Sequence, residues 1–342
     1  MVNKLFISDC EGPLSLNDNA FELSGHFIPQ GEEFFTRVSQ YDDFLVEEIK
    51  RKDYHAGDTL KLIAPFLKAY GATNQKIIDF SKENVSLLPG AGSTLQLVKS
   101  MLPSYIVSTS YQQYINALCQ VTDFSYENTY STTLDLEKIN IQNEIESLKQ
   151  FKEDIVNGAD FKSMDEIFFK KLPSMESGKL IDAVITVGGE GKKLAVQDIL
   201  KKNQTLDFMY VGDSITDVEP LRFARENDSL AVAFNGNEYA IREANIAVIS
   251  PHSIVTSLLV DLYYKFSAEY VFQFVDAYAA NPQRALANFR VSIPLLEEFE
   301  TVFKNKDLPL LELISGDNQQ DLIKMSREYR KKVRGEAIGG LG

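Results

Sequence analysis

Short apolar runs recur along the chain, and each one gives way at once to polar or acidic residues. Leu5-Phe6-Ile7 is the first, and it leads into Ser8-Asp9-Cys10-Glu11-Gly12-Pro13. Tyr105-Ile106-Val107 ends in Ser108-Thr109-Ser110, and Phe208-Met209-Tyr210-Val211 ends in Gly212-Asp213. Leu230 to Phe234 and Ile246 to Ile249 are two more such runs. Runs this short and continuous predict strands buried on both faces. Gly12-Pro13 ends the first, because neither residue continues a strand. Ala183 to Val187 carries the same signal, so a strand is also predicted over 182–187.

Between these runs the period changes. Phe34, Val38, Tyr41, Phe44, Leu45 and Ile49 recur at helical spacing, as do Leu60, Ile63, Ala64, Phe66 and Leu67, and no strand is predicted from 21 to 80. Further helices are predicted after the turn Pro89-Gly90-Ala91-Gly92, around Tyr114 to Leu118, over 136–156, over 163–172, from Lys192 to Lys201 and around Tyr239 to Glu243. From Ser253 onward the pattern predicts helix only, ending in a flexible Gly339-Gly340-Leu341-Gly342. The stripe Leu258, Leu262, Phe266, Val271, Phe274 and Tyr278 is broken by Asp261, Lys265, Glu269, Gln273 and Asp276. It predicts an amphipathic helix packed on the core, not a membrane span. Strands alternating with helices imply parallel crossover units, hence an α/β fold with a doubly wound sheet. The expected organisation is a core at 1–14 and 86–255, with an insert at about 123–180. A helical cap at 15–85 and a helical C-terminal extension at 256–342 complete it.

The 342 residues carry a formal net charge of −14, which argues against a nucleic-acid backbone or an anionic membrane as partner. Cys10 and Cys119 are too few for a disulfide framework, and the N-terminus has no cationic segment followed by a long apolar one. A reducing, cytoplasmic location is the expectation. Cys10 reads as a packed small residue. His26, His55 and His252 form no ligand spacing. The basic run Arg327, Arg330, Lys331, Lys332, Arg334 reads as a solvated helix face, with a docking surface for a protein partner as the alternative.

The candidate chemistry follows from topology. Asp9, Ser108 and Asp213 each follow a predicted strand directly, and the carboxyl ends of parallel strands lie on one edge. Lys192 opens a helix after Gly188-Gly189-Glu190-Gly191, with Lys193 as the other candidate. That loop is neither a Walker loop nor a dinucleotide fingerprint. Two acidic residues at a buried strand end are costly unless a cation or a proton shares the site. The chemistry suited to this set is phosphoryl transfer to a carboxylate. Asp9 would be the nucleophile, Asp9 and Asp213 would hold a divalent cation, Lys192 would add fixed charge, and Ser108 would hold a phosphoryl oxygen. Oxygen-only ligands favour magnesium.

With these motifs the chain resembles the haloacid dehalogenase (HAD) superfamily, in particular its phosphoserine-phosphatase-like branch, over about 1–14 and 86–250. The first motif of that family, Asp-x-Asp, corresponds to Asp9-Cys10-Glu11. The second, Ser or Thr at a strand end, corresponds to Ser108. The third, a Lys opening a helix, is matched best by Lys192. The fourth, Gly-Asp-x-x-x-Asp, corresponds to Gly212-Asp213-Ser214-Ile215-Thr216-Asp217. The Asp-Cys-Glu-Gly-Pro start and the long tail also resemble an archaeal HAD-like group described as a hydrogenase subunit. The resemblance implies magnesium held by Asp9, the Glu11 carbonyl and Asp213, with Asp217 as a ligand or its support. It also implies a cap that closes over a small phosphorylated substrate. Glu11 departs from the pattern: the phosphatases of the family have Asp there, as general acid and base. The function expected is therefore a magnesium-dependent phosphohydrolase working through an aspartyl-phosphate. The alternative is a binding or regulatory subunit of the same fold with little turnover.

Overall fold

The computed structural model describes residues 4–340. Its centre is one seven-stranded sheet. In chain order the strands are β1 (Lys4–Ser8), β2 (Ser104–Tyr111), β3 (Thr129–Thr132), β4 (Asp207–Gly212), β5 (Leu230–Phe234), β6 (Ile246–Ile249) and β7 (Leu310–Leu313). They lie side by side as β3-β2-β1-β4-β5-β6-β7. All neighbours pair in parallel except β7, which runs antiparallel to β6. The inner parallel strands β1, β2, β4, β5 and β6 are built on apolar runs because helices cover both faces. Phe6, Ile106, Met209, Val211, Val232 and Val248 point into one layer of the core. Leu5, Ile7, Val107, Phe208, Tyr210 and Ala233 point into the opposite layer. This alternation is the two-residue period of a strand with each set buried under its own helices.

The five strands predicted from continuous apolar runs form as expected. Three expectations need correction. No strand forms over 182–187: helix Glu176–Ala183 covers its start, and only a single bridge, Ile185 to Thr133, remains. Ile185 is exposed, so the run has no core to join. The chain after Ser253 is not helix alone, since β7 closes the sheet edge through the register Val248 to Leu311 and Ile249 to Leu310. The stripe from Leu258 to Tyr278 is buried in the core as expected, but on two helices, Ile254–Lys265 and Ala268–Ala280, with Ser267 capping the second. At the chain end, Gly339 is buried in the short helix Glu336–Gly339, while Leu341 and Gly342 lie outside the described residues.

Beyond the carboxyl edge of the sheet stands an all-helical cluster. Helices Asn19–Phe27, Gly31–Glu47, Thr59–Ala69 and Asn74–Glu83 follow β1. They share one apolar cluster with helices Ile145–Val156, Phe161–Glu166 and Glu176–Ala183, which follow β3. Phe34, Val38, Tyr41, Phe66, Leu148, Met164 and Leu180 meet inside it. Two segments far apart in sequence thus build one body.

Candidate active site

The strand order reverses between β1 and β4, and in sheets of this kind a crevice opens at that point. Asp9 leaves the end of β1 and Asp213 leaves the end of β4. The strands are in register from Lys4 and Asp207 to Ser8 and Val211, so the two acids emerge side by side. The amide of Asp9 donates to Val211 O at 2.8 Å, which continues the pairing one residue past β1. Carboxylate oxygens of Asp9, Asp213 and Asp217 lie within 4.8 Å of one another, and all three residues are buried.

Lys192 comes to this cluster from the first turn of helix Glu190–Asn203. Its Nζ donates to Asp9 Oδ2 and to Asp217 Oδ1, each at 2.7 Å, and the side chain is fully buried. Burial alone would lower its pKa, but Asp217 and Asp9 reverse that and hold it above the usual lysine value. Lys193 instead pairs with Glu190 at 3.2 Å near the surface, so of the two candidates it is Lys192, the better match in the sequence, that reaches Asp9.

Asp217 is fully engaged. Its Oδ1 accepts from Lys192 and from Tyr210 OH at 2.7 Å, and its Oδ2 accepts from the amides of Asp213 at 3.0 Å and Ser214 at 3.1 Å. Burial opposes its charge, but Lys192 and these donors hold its pKa below the usual carboxylate value. The residue is therefore built to orient Lys192 and the β4 loop. Asp9 is pushed upward by burial, with Lys192 opposing, and its Oδ1 accepts from the Cys10 amide at 2.6 Å. Asp213 is likewise raised by burial, against Arg330 and Arg334.

Ser108 ends the inner part of β2. Its Oγ donates to Ser110 Oγ and accepts from the Ser110 amide, both at 3.2 Å, which aligns both hydroxyls beside Asp9 on one cavity wall. Glu11 also lines that cavity, and its Oε1 accepts from the Asn19 amide at 2.8 Å, at the start of the helical cluster. Burial, with Asp18 adding to it, pushes the Glu11 carboxyl up to about 8. Gly12 is indispensable to this packing. Its φ is +93°, and a Cβ there would stand 2.1 Å from Asp213 Oδ2. Cys10 is fully buried in the core.

The cavity has a volume of about 100 Å³ and lies between the sheet edge and the helical cluster. Phe35, Asp42, Asp43 and Thr59 close its far wall. Arg330 and Arg334, on helix Gln319–Arg334, also line it. The expectation that the basic run is a solvated face fails for these two residues. Arg330 is 4% exposed, the Arg334 side chain is 5% exposed, and both reach the Asp213 carboxylate. The sequence signal was their spacing: four residues apart, they share one helix face with buried Leu322 and Ser326. Arg327 and Lys332 do lie on the exposed side.

The residues fit a hard divalent cation. The donors are oxygens only, they are buried and close together, and Gly12 leaves room for the Asp213 carboxylate beside β1. Asp9 and Asp213 are the side chains placed to hold such an ion. Asp217, with both its oxygens occupied by donors, supports them.

Comparison with known proteins adds one full-length likeness. The gene product AF1437 from Archaeoglobus fulgidus superposes with a TM-score of 0.85 at 27% identity, covering 99% of both chains. A HAD family hydrolase from Salmonella enterica subsp. enterica serovar Typhi aligns with a TM-score of 0.42 and 13% identity, covering 71% of this chain and 66% of that one. No protein-family model matches the sequence, and no curated protein matches it. Among the described residues no helix is long and apolar enough to cross a membrane.

Proposed function

We propose that this protein is a HAD-type phosphohydrolase that uses magnesium and an aspartyl-phosphate intermediate on a small phosphorylated metabolite. The observation that carries the reading is Lys192 bridging Asp9 and Asp217 beside Asp213, at the switch point of the sheet. Asp9 attacks the phosphorus, and the bond from phosphorus to the leaving oxygen breaks. Glu11 donates a proton to that oxygen, then takes one from the water that attacks the phosphorylated Asp9, which releases phosphate. Lys192 favours the ionised form of Asp9 and orients it, while Ser108 donates to a phosphoryl oxygen. Asp9, Asp213 and the Glu11 carbonyl would hold magnesium, which would supply neutralising charge. The helical cluster at the cavity mouth acts as the cap that excludes water and selects the substrate.

The second reading is a binding or regulatory subunit with little turnover. Two observations favour it: the Glu11 carboxylate is tied to Asn19 N, and two arginines contact Asp213. One experiment separates the two. Hydrolysis is measured over a panel of phosphomonoesters, with and without magnesium, for the wild type, Asp9→Asn, Glu11→Gln and Glu11→Asp. The enzyme reading expects turnover that needs magnesium, vanishes in Asp9→Asn, falls in Glu11→Gln and survives in Glu11→Asp. Magnesium binding without hydrolysis across the panel would establish the second reading instead.

A further inference from the structure

We propose that Arg330 binds the phosphoryl oxyanion, with Arg334 fixed beside it, so that the C-terminal extension completes the site. The inference rests on reading the site as one that handles phosphomonoesters, and it adds two residues outside the four motifs of that resemblance.

The extension is anchored before it reaches the site. β7 joins the sheet edge, and helix Gln319–Arg334 then crosses back over the core with Leu322 buried and Ser326 Oγ donating to Gly236 O at 2.6 Å. Its last turns deliver the two guanidinium groups. Arg330 Nη1 donates to Asp213 O at 3.1 Å and to the Asp213 carboxylate. Arg334 Nη1 donates to the same carboxylate at 3.3 Å, its Nε donates to Leu16 O at 3.2 Å, and its Nη2 donates to Asn17 O. Leu16 and Asn17 link β1 to the helical cluster. Arg334 is thus held by the backbone at the hinge of the cavity.

Arg330 is held differently. Its Nη1 is used, but its Nε–H is buried and has no hydrogen-bond partner among the described residues. Buried donors are rarely left so, because each forfeits its hydration without return. The Nε edge of a guanidinium is one side of the fork that takes two oxygens of a phosphate or carboxylate. A second orphan belongs to another residue lining the same cavity: Thr109 Oγ1 is also buried without a partner among the described residues. Two unpaired groups on one cavity, beside Asp9 and the Ser108 hydroxyl, suit an incoming oxyanion. Charge agrees with this. The three clustered carboxylates Asp9, Asp213 and Asp217 face three buried cations, Lys192, Arg330 and Arg334. The charge of a divalent ion is then free to balance the phosphoryl group.

The test is calorimetric binding of inorganic phosphate to the full chain in saturating magnesium, with magnesium binding and thermal unfolding measured on the same samples. Arg330→Ala should weaken phosphate at least tenfold. Arg330→Lys keeps a cation against Asp213 but loses the fork, and it should also weaken phosphate, by severalfold, with the unfolding temperature close to wild type. If Arg330→Ala does not fold, Arg330→Lys decides. Phosphate affinity within twofold of wild type in a folded Arg330 variant would overturn the proposal and reduce the arginines to counter-ions of Asp213. Phosphate that fails to bind the wild type would overturn it too. Asp9-dependent hydrolysis with phosphate affinity indifferent to Arg330 sinks this inference alone. Arg330-dependent phosphate binding without hydrolysis sinks the enzyme reading alone.

Discussion

Replacing Asp217 by Asn changes no shape and one charge, so its effect follows from hydrogen bonds that can be counted. Both carboxylate oxygens are acceptors: Oδ1 for Lys192 and Tyr210, and Oδ2 for the Asp213 and Ser214 amides and, at 3.4 Å, the Ser214 hydroxyl. An amide offers one acceptor oxygen and turns two N–H bonds toward the other pair. The least costly arrangement leaves the oxygen on the two backbone amides and points the NH2 at Tyr210, whose hydroxyl can rotate to accept. Lys192 then keeps Asp9 but loses its second partner while remaining fully buried. Breaking a buried pair from one side costs about 3–5 kcal/mol, against a total stability of about 5–15 kcal/mol. At a urea slope of about 2–3 kcal/mol per molar the midpoint should fall by roughly 1–2 M. The assay is urea unfolding followed by far-ultraviolet circular dichroism, since the chain contains no tryptophan. The double variant Asp217→Asn with Lys192→Met should lose less than the sum of the single losses, because it removes cation and partner together. A loss below about 1 kcal/mol in Asp217→Asn, or strict additivity in the double variant, would refute the account of Asp217 as the anchor of Lys192.

Gly12→Ala should displace the Asp213 carboxylate, because the new methyl group would stand 2.1 Å from its Oδ2 at a backbone φ of +93°. Magnesium affinity by calorimetry should fall more than tenfold, whereas Gly92→Ala, in a helix with open space at its Cβ, should gain about 0.5–1 kcal/mol of stability. Asp42, buried and hydrogen-bonded to Tyr54 OH at 2.6 Å and the Gly57 amide at 3.0 Å, is pushed by burial up to about 7. The folded protein thus holds a proton there that the unfolded chain releases near its ordinary value of 3.8. That stabilisation is full below the ordinary value and is lost as pH rises to about 7, with ~4 kcal/mol as its ceiling. Asp42→Asn should remove this part of the slope between about pH 4 and 7 in urea unfolding, and an unchanged slope would exclude Asp42 as its source.

The sequence by itself determined the core of the sheet. A strand covered on both faces must be apolar at every position, so β1, β2, β4, β5 and β6 stand out as continuous runs, and the acids that end them mark the edge where a site can form. That reasoning placed Asp9, Ser108 and Asp213 at one edge without coordinates. It failed where burial is supplied by distant chain. Thr129–Thr132 is too polar to read as a strand and forms because β2 offers it an edge. Leu310–Leu313 was lost in a helical context and forms because β6 does the same. Ala183 to Val187 has the composition of a strand but meets no partner beyond one bridge. The sequence favoured Lys192 over Lys193 without excluding the second, and the direction of the helix aims the first at Asp9 and the other at Glu190. Arg330 and Arg334 were least legible of all. An arginine on a helix is ordinarily solvated, and the four-residue spacing that puts these two on one face with Leu322 and Ser326 does not by itself say that the face is covered. What buries them is the return path of the chain through β7, which carries residues more than three hundred positions from Leu16 and Asn17 onto the same hinge.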